Sequence, residues 1–278
     1  MKTRIILDST IDIPARLQGR FSTVPLTVHF GDEEYVDGVT MSKEQFYERL
    51  IETDVMPTTS QATPTAFQQV FDKVRADDDS AVVLTLASKL SGTYQSACIA
   101  AEDYDNIYVV DTLSAAIGSG ILAEYALSCA EAGMGAKELA ELLTEKRKDI
   151  CVLALLDTLE YLKRGGRISK TTAFAGGLLN IKPVITVQDG EVGIVGKARG
   201  SKQGNNFLIE QVNTYGGIDY SMPVLLGYTG CSTELIDKYI KDSSSLWENK
   251  IPVPARIKVG ATIGTHIGPG GITVAFFS

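Results

Sequence analysis

Four short runs of hydroxyl-bearing, small polar and glycine residues are the parts of this sequence best suited to hold a ligand. They are Asp8-Ser9-Thr10, Thr58 to Pro64 (TTSQATP), Lys89 to Tyr94 (KLSGTY) and Gly264 to Gly271 (GTHIGPGG). Hydroxyls and exposed amide N–H groups donate hydrogen bonds, and helix N-termini add a positive potential, so turns of this kind favour an anion. Each run taken alone also reads as a capping turn. Four together, one holding His266 among Gly264, Gly268, Gly270 and Gly271, point to a site for a small carboxylate or phosphate, because those glycines let backbone approach a ligand closely. His29, the only other histidine, sits in the strand-like run VPLTVHF and reads as structural.

The familiar catalytic signatures fail on inspection. Gly190 to Lys197 (GEVGIVGK) approaches a phosphate-binding loop, but five residues separate Gly190 from Gly196 where four are needed, and Ala198 replaces the magnesium-binding hydroxyl. Asp8 after a strand suggests an aspartyl-phosphate nucleophile, yet Thr10 stands where a second acid belongs. Ser-x-x-Lys, GxSxG and HExxH patterns are missing. Cys98, Cys129, Cys151 and Cys231 are scattered, with no CxxC pair and no nearby histidine, so no metal site is expected; the first three lie in apolar stretches where a thiol acts as a small hydrophobe.

The elements that must position these turns are readable from hydrophobic period. Arg4–Leu7, Ala81–Leu86 and Ile107–Val110 are short apolar runs separated by amphipathic stretches, the βαβ rhythm of a parallel sheet covered on both faces. Thr63 before Pro64 predicts a helix start, with Phe67, Val70, Phe71 and Val74 following at helical spacing. Ser91 is expected to open a second helix, and Ser114 or a neighbour a long apolar one through Ala130 that ends near Gly133. After the helical stretch 136–148 the texture changes to strands at 151–156, 181–187, 191–195, 224–228, 256–259 and 272–277. The tight turn at 188–190 implies a hairpin in a mixed sheet. The expected class is therefore α/β with two domains divided near residue 150.

Composition narrows the partners. With 26 Lys and Arg against 34 Asp and Glu, the net charge is −8, which argues against nucleic acid or an anionic membrane surface as a general partner. The apolar run Ile5 to Leu7 is too short for a signal peptide, and no stretch reaches membrane-span length, so a cytoplasmic protein is expected. Against this acidic background, Arg164 and Arg167, and Lys197, Arg199 and Lys202, form two basic clusters.

Six segments in order resemble the DegV family of bacterial fatty-acid-binding proteins: DSTIDIP (8–14), TTSQATPT (58–65), LSGTYQSA (90–97), YLKRGGRIS (161–169), LLNIKPVI (178–185) and THIGPGG (265–271). The resemblance implies an N-terminal three-layer α/β/α domain with a parallel sheet (1–150) and a C-terminal two-layer α/β domain with a mixed sheet (151–278). One long-chain fatty acid would be enclosed between them. It implies no cofactor and no catalytic machinery in this chain: the carboxylate would be presented to a separate ATP-dependent fatty acid kinase, giving acyl phosphate for phospholipid synthesis, with transient membrane contact for lipid exchange. By position in the motifs, Thr59 and Ser91 would donate to the carboxylate with His266 nearby, and Ser60, Thr63, Gly92 and Thr93 are close enough to exchange roles with them. Ile117, Ile121 and Leu122 would line the acyl tunnel. The basic clusters would surround the mouth and meet the kinase, although GSKQGNNF after Arg199 is less basic than the family suggests. The alternative is a subunit or enzyme handling a small polar metabolite, similar in fold to the substrate-binding subunit of dihydroxyacetone kinases, with His266 holding the substrate.

Overall fold

A computed structural model of the chain describes residues 2–168 and 180–278; Ser169, Leu178 and Leu179 of the quoted segments lie outside the described residues. The first half runs β1 (Thr3–Asp8), β2 (Ser22–Val24), β3 (Thr27–Phe30), β4 (Glu33–Val36), α1 (Lys43–Glu52), β5 (Thr58–Ser60), α2 (Pro64–Ala76), β6 (Ser80–Thr85), α3 (Thr93–Ala101), β7 (Ile107–Asp111), α4 (Ala116–Glu131) and α5 (Ala136–Lys146). The second runs β8 (Ile150–Leu155), α6 (Glu160–Arg164), β9 (Ile181–Gln188), β10 (Glu191–Arg199), α7 (Gly200–Thr214), β11 (Leu225–Tyr228), α8 (Glu234–Asp242), α9 (Ser244–Trp247), β12 (Arg256–Lys258), α10 (Ala261–Ile267) and β13 (Ile272–Phe277).

The first sheet is parallel, in the order β2-β1-β6-β7. Its strands are apolar on both sides because both sides are covered. Ile6 and Val83 pack with Phe67 and Phe71 of α2, whereas Ile5, Leu7, Val82 and Leu84 pack with α4 and α5. Thr63 caps α2 by accepting from the Ala66 N–H, with Pro64 at the first helical position. The second sheet is mixed, in the order β10-β9-β8-β13-β11-β12, and only β11 and β12 run parallel. Asp189 and Gly190, with φ of 50° and 78°, make the tight turn between β9 and β10.

Two local expectations shift. The N-cap position of α3 is Gly92, one residue past Ser91; the Ser91 hydroxyl accepts from the Thr93 N–H at 3.3 Å and meets the Thr93 hydroxyl at 2.9 Å. Thr58 to Ser60 is not a turn but β5, the edge of a third, antiparallel sheet β4-β3-β5, in which Val28 pairs with Thr59. A hydroxyl-rich triplet takes strand form here because β3, thirty residues away, offers it a ladder.

Helix α4 occupies a place that its sequence does not announce. It is buried over most of its circumference, packing on β1 and on β8, β11 and β13, so it fills the space between the parallel and mixed sheets. The close fit explains its glycines: a Cβ on Gly120 would stand 2.1 Å from the Asp12 carbonyl oxygen, and one on Gly118 2.2 Å from Val152 Cγ2. Among the described residues no helix is long and apolar enough to cross a membrane.

Candidate functional site

A cavity of about 350 Å³ opens between the two sheets. That is within the size range of small-molecule sites, roughly 300–1,000 Å³. One wall is the face of the mixed sheet carrying Val152, Ala154, Ile185 and Val192; Ala115 and Ala116 at the start of α4 and Ile263 and Ile267 of α10 close it. Leu113 and Ala116 adopt left-handed backbone (φ 52° and 50°), uncommon without glycine, and this bend brings the chain ahead of α4 against the cavity.

The polar lining gathers Thr59, Ser60, Gln61, Ser91, Gly92, Arg167 and His266. Thr59 Oγ1 and His266 Nε2 are 2.9 Å apart, joining β5 to α10 across 207 positions of sequence. The other ring nitrogen, Nδ1, is buried with no partner among the described residues. It faces Gly165, where an added Cβ would lie only 2.2 Å away, so glycine is required there for the imidazole to seat. Arg167 donates from Nε to the Leu90 carbonyl (3.1 Å) and from a terminal nitrogen to the Gly165 carbonyl (2.6 Å). It is half-buried, and among the described residues no carboxylate stands within ion-pair distance of it.

The other assigned residues are distributed as follows. Ser60 pairs with His29 at 2.9 Å. Thr63, exposed, is spent on its cap, and Thr93 is fully buried beneath Ser91 and stands outside the lining. Ile117, Ile121 and Leu122 also stand outside it: they lie in the core between the sheets, Ile117 against Gly227 of β11. A helix apolar on all sides gives no sign of which face meets a cavity. Arg164 pairs with Glu160 at the surface, and Lys197, Arg199 and Lys202 are exposed on β10 and α7, apart from Arg167, which turns inward. Sequence reasoning assigned no role to Gln61, whose side chain lies over Gly92 and donates to Ser96, nor to the alternating residues of β8 and β9. The signal for the latter was strand period, applied to the face opposite Leu153 and Leu155.

The acidic residues of the first segment are scaffold. Asp8 accepts from the Thr10 N–H and hydroxyl and from the Leu86 N–H, and burial pushes its carboxyl up to about 6. Asp12, 1% exposed, takes the Lys43 ammonium at 2.5 Å and the Gly260 N–H at 3.0 Å. Asp37 accepts from the Thr262 N–H and hydroxyl. Together these two carboxylates hold the start of α10, the helix that carries His266. Among the described residues no group of three or more His, Cys, Asp and Glu is placed to hold a metal ion.

Burial first, and the Arg167 cation second, hold the His266 imidazole down at about 4. An unfolded histidine titrates near 6.5, so between about 6.5 and 4 the unfolded chain binds the proton that the folded chain refuses. The contribution of this site to stability is therefore intact above about pH 6.5 and is lost as pH falls towards 4. Nitrogen-15 NMR of the chain's two imidazoles is expected to show His266 neutral at pH 5. A His266 midpoint near 6.5 would remove the burial argument.

The cavity combines apolar walls, hydroxyl donors and a guanidinium with no carboxylate partner among the described residues, which suits a molecule with one anionic end and an apolar body. The comparisons agree over the same span. The profile described as "Uncharacterised protein, DegV family" matches residues 2–278. A DegV domain-containing protein of Caldanaerobacter subterraneus is 35% identical, covering 99% of this chain and 98% of its own. The solved structure of a DegV family protein from Thermus thermophilus, described as fatty acid binding, superposes with a TM-score of 0.88 at 30% identity over 100% of both chains. A stearic acid-binding protein from Eubacterium ventriosum does so with a TM-score of 0.86 at 26% identity, over 99% of this chain and 97% of its own. Sequence, both sheets and the cavity between them thus lie within one continuous match, and the chain belongs to the DegV family.

Proposed function

We propose that this cavity holds one long-chain fatty acid between the units 1–150 and 151–278. Its carboxylate lies among Thr59, Ser91, His266 and Arg167, and its methylenes run along Val152, Ala154, Ile185 and Val192. The observation that carries the reading is Arg167: a half-buried cation whose only partners among the described residues are carbonyl oxygens, at the polar end of a cavity whose mixed-sheet wall carries Val152, Ala154, Ile185 and Val192. A buried carboxylate is costly without donors and a countercharge, and this cluster supplies both. A chain of about sixteen carbons gains on the order of 12 kcal/mol by leaving water, from which ordering subtracts several. The fatty acid binding described for the Thermus thermophilus protein and the stearic acid binding described for the Eubacterium ventriosum protein support the same ligand class.

In the finer form of this reading the chain performs no chemistry of its own. It presents the carboxylate, in the cytoplasm, to a separate ATP-dependent kinase; a carboxylate oxygen accepts the γ-phosphoryl group, leaving acyl phosphate and ADP. Exposed Arg164, Lys197, Arg199 and Lys202 are the residues that would meet that partner, and lipid exchange would involve transient membrane contact. The test is to extract the washed, purified protein with organic solvent and identify the bound molecule by mass spectrometry. A long-chain fatty acid near one-to-one stoichiometry is expected. Absence of lipid, together with failure to take up added fatty acid, overturns the reading and favours a small polar metabolite at His266.

A further inference from the structure

The hairpin β9–β10 reaches beyond the sheet that carries it. Pairing between β8 and β9 runs from Leu155 opposite Val184 to Leu153 opposite Thr186, whereas β9 and β10 stay paired out to Gln188 and Glu191. Residues 187–192 therefore form a two-stranded ribbon that projects past the β8 ladder, with β10 at the edge of the sheet. Val187 and Val192 of this ribbon line the cavity, and the bulge between Ile194 and Gly196 gives β10 a point of bending just behind it.

The tip of the ribbon rests on the loops of the parallel sheet. Gly190 is buried there: a Cβ on it would stand 3.4 Å from Ala87 Cβ, 3.6 Å from Leu113 Cδ2 and 3.8 Å from Lys89 Cβ. Glu191 reaches Lys89 at 3.1 Å, and both side chains are more than half exposed. Among the described residues no hydrogen bond of the backbone joins 187–192 to those loops, and this ion pair is the one polar link between them. A two-stranded hairpin is marginal by itself in water and an exposed ion pair contributes little. The ribbon is thus held far less firmly than β8, which has a strand paired on each side.

We infer that this ribbon is the flap through which the acyl chain enters and leaves the cavity, its tip lifting from Ala87, Lys89 and Leu113 and settling back over the bound chain. The inference rests on the fatty-acid reading above and adds to it the route of exchange. Lifting the tip breaks one exposed ion pair and the contacts of a glycine, whereas opening the cavity at α4 would unseat a helix packed on both sheets.

The test joins the tip to the loop beneath it. Lys89→Cys and Gly190→Cys are introduced together in the full chain, since a Cβ separation of 3.8 Å suits a disulfide, and the exposed Cys231 is replaced by serine. The protein is loaded with stearic acid, oxidised or kept reduced, and mixed with an excess of phosphatidylcholine vesicles. Transfer of stearic acid to the vesicles is expected to be about tenfold slower from the oxidised form and to recover on reduction, while Cys231→Ser alone responds to neither treatment. Gly190 has left-handed backbone, where a cysteine is strained, so melting curves check the fold. Glu191→Lys keeps that glycine and turns the ion pair into a repulsion; it is expected to speed transfer about threefold. Equal transfer from the oxidised and reduced forms, or a wild-type rate in Glu191→Lys, overturns the inference while the fatty-acid reading stands. If the wild-type chain takes up no stearic acid, the fatty-acid reading falls and this inference with it.

Discussion

Replacing Arg167 by methionine is expected to weaken long-chain fatty acid binding about a hundredfold, roughly 3 kcal/mol, the scale of one desolvated charge-assisted contact. Methionine keeps the stem's apolar packing and removes only the cation. Because the guanidinium makes no ion pair among the described residues, the loss there is two hydrogen bonds to carbonyls. Affinity should therefore fall far more than stability. The same variant has a second readout: with the Arg167 cation gone, the His266 midpoint should rise from about 4, though burial, the larger cause, keeps it below the ordinary value. Calorimetric titration and histidine NMR on one sample measure both. Unchanged affinity would place the carboxylate elsewhere in the cavity.

Lys43→Met should act in the opposite way, on stability. Lys43 lies between the Asp12 carboxylate and the Lys258 carbonyl at 2.7 Å, and Asp12 is buried at the start of α10. Burial raises the Asp12 carboxyl and the ammonium beside it opposes that rise. Removing the ammonium leaves a buried acid with, among the described residues, only the Gly260 N–H to hold it. The expected loss is about 2–3 kcal/mol, less than for a fully enclosed pair because the Lys43 side chain is 36% exposed. Urea denaturation measures it. The double variant Asp12→Asn, Lys43→Met should recover part of the loss, since the orphaned charge is gone; strictly additive losses would show that the pair is not coupled.

The parallel sheet was legible because its strands are continuous apolar runs, and the mixed sheet because its hairpin carries an Asp-Gly turn. The small sheet was not. β5 is three hydroxyl-bearing residues long, and only pairing with β3 makes it a strand. At the site, the segments holding Thr59, Ser91 and His266 were readable as donor-rich, but the inward turn of Arg167 was hidden in a run of charge that looks like surface. Ile117 and its neighbours show the complementary difficulty. Between two sheets a helix needs apolar residues everywhere, so its composition does not distinguish cavity wall from core.

Strand β13 lies between β8 and β11, central in space though it follows every other strand in chain order. A nascent polypeptide that has emerged as far as β12 therefore carries two unjoined pieces of a sheet, with the edges of β8 and β11 bare and one wall of the cavity missing. If the cavity holds the ligand proposed above, capture waits for β13 to be threaded into the middle. On the fatty-acid reading proposed above, a chain whose β13 has not yet emerged exposes sticky strand edges instead of an empty but competent carrier.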